Sequence, residues 1–227
     1  MKTILLLAVA LLLPQSAEKL LIASIPSAAV DDGIVSELVW EGTELVVLVA
    51  VPRSGGYDAR FYALPGPGVA LRRLAAPPAG RDAYWKKKAS RTSPTGLGRI
   101  EKSSDSTLPM MGVGSLERRL EGAADFGTMD QTFEVRLNSR VLHSRKQRDI
   151  YDGEVWAWSP AEQNQIAYVD GKGDLWIASA DGANAARLLK GDFLLPAWSL
   201  EGRAVAIVER NAAKKRWDVY VVIVPRG

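Results

Sequence analysis

The chain has 227 residues, no cysteine, one histidine and a formal net charge of +3. Its length suits one large all-β domain or two small ones, and an apolar fraction of 47% argues against wholesale disorder. The lack of cysteine excludes disulfides, thiolate metal sites and a cysteine nucleophile. So small a charge does not by itself call for nucleic acid.

Met1-Lys2-Thr3 leads into the uninterrupted apolar run Ile4 to Leu13, broken at Pro14. One positive charge and a short apolar run read as a signal peptide. A membrane span needs about 20 residues, so the run is too short for one. Cleavage after Ala17 (residues 1–17) leaves Gln15 at a position that prefers a small residue. Cleavage after Ala29 satisfies both small positions, Ser27 and Ala29, with a longer leader. The expectation is an exported chain, periplasmic or extracellular, with no integral membrane span once the leader is removed.

Residues 18–79 read as one or more N-terminal units of strands. Val39-Trp40 precedes the apolar strand Leu45 to Val51. Ala59 to Leu64, containing Tyr62, then leads through the Pro65-Gly66-Pro67-Gly68 turn to Leu71-Arg72-Arg73-Leu74. Residues 80–130 read as a degenerate unit or an insertion. They hold the basic cluster Lys86-Lys87-Lys88 beside Tyr84 and Trp85, the polar run Ser103 to Thr107, and a short helical turn at Leu116 to Glu121. Within residues 131–227, Thr132 to Leu137 and Arg140 to His143 form a strand pair, with Phe133, Val135 and Leu137 alternating with polar residues.

The order then repeats. Trp158-Ser159-Pro160, Ile166-Ala167-Tyr168-Val169, Asp174-Leu175-Trp176-Ile177 and Arg187-Leu188-Leu189 are followed by Trp198-Ser199, Val205-Ala206-Ile207-Val208 and Trp217 to Val222. Trp158 and Trp198 lie 40 residues apart. A period of about 40 residues built from short strands marks propeller blades. Trp40 stands about three periods before Trp158, which places two further units near residues 80 and 119. The fold class expected is all-β and propeller-like, with four-stranded antiparallel blades and about five units. Trp40, Tyr62, Trp158, Trp176, Trp198 and Tyr220 are its repeat anchors, with the third-strand aromatics expected to fill space between blades.

Residues 154 to 224 resemble the TolB-type propeller repeat, found in periplasmic TolB and in the propeller domains of prolyl-oligopeptidase-family peptidases; 34 to 76 resemble it less closely. Ala161-Glu162-Gln163-Asn164 replaces the family's Asp-Gly turn, and Leu200 stands where proline is expected. The resemblance implies a six- or seven-bladed ring, whereas about 40 residues per blade leaves room for roughly five units here.

No catalytic residue is expected. A Ser-His-Asp triad would have to use His143, which sits in an Arg/Lys-rich stretch and reads as an exposed strand or loop residue. No nucleophile elbow occurs; Gly112-Val113-Gly114-Ser115-Leu116 fails the pattern. Asp170-Gly171-Lys172-Gly173-Asp174 lacks the spacing of a calcium loop and reads as a hairpin turn. Gly66 and Gly68 lie between prolines, not before a helix, so they do not suit phosphate. No metal and no cofactor is expected. The Lys86 to Lys88 and Arg145 to Arg148 clusters read as solvated loops. The leading expectation is an exported, non-enzymatic scaffold that binds a protein or peptide and no nucleic acid. The alternative is the propeller portion of a peptidase lacking its hydrolase domain.

Overall fold

The computed structural model describes residues 18–54, 56–104, 132–146 and 153–224. The apolar leader to Ala17 and the helical turn expected at Leu116 to Glu121 lie outside the described residues.

Fifteen strands are described, and they form four separate antiparallel sheets. The first blade is β2 (Ile34–Glu41), β3 (Glu44–Arg53), β4 (Gly56–Leu64) and β5 (Arg72–Arg73), in chain order. The second is β6 (Ile100–Ser104), β7 (Thr132–Leu137) and β8 (Arg140–Lys146). The third is β9 (Trp156–Trp158), β10 (Gln165–Val169), β11 (Leu175–Ser179) and β12 (Ala186–Leu189). The fourth takes β13 (Phe193–Trp198), β14 (Ala204–Asn211) and β15 (Arg216–Ile223) from the end of the chain. Its outermost strand is β1 (Lys19–Pro26), from the beginning. The arrangement is a four-bladed β-propeller, not the expected five units. Among the described residues, one blade and a linker helix stand in the stretch where two units were expected.

β1 pairs with β15 from Lys19↔Val222 to Pro26↔Arg216. The two ends of the chain thus share one blade, which ties the ring shut. Buried Asp218 reinforces the join by accepting hydrogen bonds from Ser24 Oγ and Arg216 Nε. Lys19 bridges Glu209 at 3.3 Å and sits 3.6 Å over the Tyr220 ring.

The second strand of each full blade is a nearly continuous apolar run because neighbours cover both of its faces. Leu45 to Val51 in β3, Ile166 to Val169 in β10 and Val205 to Val208 in β14 are all buried. One core joins the second, third and fourth blades; another joins the first and fourth. On the first blade, Val46, Leu48 and Phe61 form a third, smaller cluster with Leu74 packed against them. The first and second blades are linked through α1 (Arg81–Lys88), which lies against β2 and β9.

The third strands carry Tyr62 (β4), Trp176 (β11) and Tyr220 (β15). Tyr62 is buried; Trp176 and Tyr220 are half-buried. Trp176 stacks on Tyr168 of the adjacent strand, with ring centroids 6.3 Å apart, and its Nε1 donates to Asp170. Trp156, which the repeat reading did not single out, is completely buried in β9.

Candidate functional site

Trp40, Trp158 and Trp198 lie at or near the ends of the first strands β2, β9 and β13, and each reaches back to the preceding blade. Trp40 Nε1 donates to Ala197 O (3.0 Å) and Trp198 Nε1 to Ala157 O (3.1 Å). Trp158 Nε1 donates to Ser90 O (2.6 Å). Each acceptor in the first two bonds immediately precedes that blade's own tryptophan. The third bond therefore marks Ser90 to Ser93 as the first-strand equivalent of the second blade. Backbone pairing agrees: Thr92 bridges Arg99, and Ile100 N donates to Arg91 O. Thr92 precedes Ser93 as Trp158 precedes Ser159 and Trp198 precedes Ser199, so by the serine turn it stands where a fourth tryptophan would, one residue further from the indole acceptor than in the other blades.

A shared turn follows these positions. Ser93, Ser159 and Ser199 are buried, and their Oγ atoms accept from Gly98 N (3.0 Å), Gln165 N (2.9 Å) and Ala204 N (3.2 Å). Such serines satisfy backbone donors at the crossing from first to second strand. The turns are also fastened to one another. Thr95 Oγ1 donates to Asn164 Oδ1 (2.6 Å), and Gln163 Nε2 donates to Glu201 O (3.1 Å). Gly98 is needed here, because a Cβ would meet Ala180 O at 2.1 Å and the Trp158 ring at 2.7 Å.

Lys86-Lys87-Lys88 is not a loop. It forms the last turn of α1, where positive charge complements the carbonyl end of the helix. Tyr84 Oη donates to Trp198 O at 2.7 Å, and Arg81 binds Glu37 of β2 through both carboxylate oxygens. Burial pushes the Tyr84 hydroxyl pKa up and keeps it protonated as a donor. Between α1 and the three serine turns lies a groove of about 890 Å³. Its lining includes Ala83, Lys87, Thr92, Trp158, Pro160 and Leu200. Leu200 is 49% exposed at the rim.

Lys88 also belongs to the lining, yet it is only 3% exposed. Its Nζ lies 4.2 Å from the Trp85 ring centroid and has no hydrogen-bond partner. Desolvation pulls its pKa down to about 7, opposed by the charges of Glu37 and Glu154.

His143 is buried, not exposed as expected, because β8 turns it toward β10. One ring nitrogen, Nδ1, lies 2.9 Å from Val169 O, and Nε2 has no partner. Burial lowers its pKa, so the neutral imidazole is favoured. It does not line the groove. Asp170 caps its own turn by accepting from Lys172 N and Asp174 N, while Asp174 accepts from Gly191 N and Arg187. Among the described residues, no group of three acidic, histidine or cysteine side chains is arranged to hold a metal ion.

The class defined by these features is a β-propeller with a preformed groove at one end of its ring. Comparison of the sequence with protein-family models and with curated proteins finds no match.

Proposed function

We propose that this chain is an exported, non-enzymatic propeller of the TolB-like repeat type that binds a protein or peptide segment in the groove beside α1. The observation that carries this reading is the locked rim. Turns of three successive blades are hydrogen-bonded to one another around one concavity, with Trp158 and Trp198 fixed by their own indole bonds. A surface held in place before binding loses little conformational freedom on association. Apolar Pro160 and Leu200 beside Lys87 suit a chain segment with mixed side chains better than a small rigid metabolite.

The pairing of β1 with β15 bears on where a leader would be cut. Cleavage after Ala17 preserves β1, whereas cleavage after Ala29 removes the strand that β15 requires. Ala17 is therefore the favoured site, and mass spectrometry of the mature N-terminus checks it. Binding is tested by titrating a fluorescent peptide library onto the purified chain. Leu200→Glu at the rim is expected to weaken the best binder at least tenfold, and Tyr57→Glu on the exposed part of β4 to leave it unchanged. Equal loss from both variants, or no peptide bound below millimolar concentration, would overturn the reading.

A further inference from the structure

Of the three lysines that line the groove, Lys88 is the one whose position helix electrostatics does not explain. Exposed Lys86 and Lys87 complement the end of α1 without leaving water. A third lysine could do the same from an exposed position. Lys88 is instead buried, with no hydrogen-bond acceptor on its Nζ. Unpaired buried charge is costly, and such groups concentrate where a ligand completes the pairing.

The groups around it leave that place open. Glu37 of β2 is engaged twice by Arg81, and Arg81 also reaches Asp82 on its own helix. Glu154, which precedes β9, is buried and acts on Lys88 through its charge. None of these four lines the groove. The charged side chains that do are Lys86, Lys87 and Lys88 against a single carboxylate, Glu162.

We propose that the segment bound in this groove is acidic, an extended peptide whose carboxylates pair with Lys87 at the rim and Lys88 at the helix end while its apolar side chains rest on Trp158, Pro160 and Leu200. This rests on the groove being a peptide site. A concave site of about 890 Å³ accommodates a few side chains, and it does not offer the flat basic face that an anionic membrane requires. Binding a carboxylate favours the ammonium form, so the complex takes up a proton on Lys88 when formed above neutral pH. Glu37 and Glu154 already favour that form, and the incoming carboxylate adds to them.

The test is calorimetric titration of the full chain with two acetylated hexapeptides. One alternates leucine with glutamate; the other carries glutamine in place of each glutamate. Vesicles of phosphatidylglycerol serve as a third probe. The acidic peptide is expected to bind at least tenfold more tightly than its neutral counterpart. It should take up close to one proton at pH 8, read from buffers of different ionisation heat, and weaken as pH rises from 7 to 9. Lys87→Ala should lose several-fold in affinity. Lys88→Met should lose tenfold or more and abolish the proton uptake, with circular dichroism confirming that it folds. Equal binding of both peptides overturns the acidic preference and leaves the groove as a peptide site. Binding of neither overturns both, and binding of vesicles alone reassigns the lysines to lipid. Undiminished affinity and proton uptake in Lys88→Met would remove Lys88 from the site.

Discussion

Replacing Lys88 with methionine is expected to stabilise this protein at neutral pH, and the size of the effect follows from where the side chain sits. The ammonium group is buried without a hydrogen bond, and its pKa falls from 10.5 to about 7 on folding. In the unfolded chain the group stays protonated up to its ordinary value. Between about pH 7 and 10.5 the unfolded state therefore holds more protons, and stability rises with pH across that window. At about 1.4 kcal/mol per pH unit, placing Lys88 costs on the order of 4 kcal/mol at pH 7 relative to high pH. Methionine matches the apolar stem and needs no solvation, but it gives up a cation–π contact with Trp85 worth about 1–2 kcal/mol. The net gain for Lys88→Met is about 2–3 kcal/mol at pH 7. It should shrink steadily and vanish by about pH 10.5, where the lysine is neutral in both states. Urea unfolding of both proteins at pH 7, 8.5 and 10 measures this directly. A variant less stable than the parent at pH 7, or a difference that does not change with pH, would show that Lys88 is well solvated or paired and would refute the reasoning.

Trp198→Phe keeps most of the packing but leaves Ala157 O without its indole donor, and should cost about 1–3 kcal/mol in urea unfolding. Ser24→Ala and Asp218→Asn should each loosen the closing strand, seen as faster amide exchange in residues 19–26 with little change in β10 and β11. His143 must gain a proton in a buried site as pH falls. Because its folded pKa lies below 6.5, its contribution is present above pH 6.5 and is lost as acid takes the pH down toward the folded value. His143→Asn should flatten the stability profile measured over pH 4–7.

A full ring is closed by residues that lie far apart in the chain, and that explains an uneven reading. Blades three and four were plain because each is contiguous over most of its length and keeps Trp, Ser turn, apolar strand and aromatic strand in order. The second blade was hidden for two local reasons. Thr92 replaces the tryptophan that marked the other first strands, and 27 residues (105–131) separate β6 from β7. A signal was present all the same. Ser93-Pro94-Thr95-Gly96 is the turn of Ser159-Pro160 and Ser199-Leu200-Glu201-Gly202 in another guise, with the same buried hydroxyl accepting the same backbone donor.

The sequence by itself determined the propeller class, the second strands and the positions of Trp40, Trp158 and Trp198. These follow from local periodicity and turn chemistry, which act over a few residues. Only the tertiary structure decided the number of blades, the ring closure by β1, the burial of His143 and the groove. Ring closure depends on β1 meeting β15, about two hundred residues away. No local pattern states which edge a strand will join. The lysine cluster shows the same limit on a smaller scale. Three consecutive lysines look alike in sequence, and it is the docking of α1 against β2 and β9 that leaves two in water and draws Lys88 out of it.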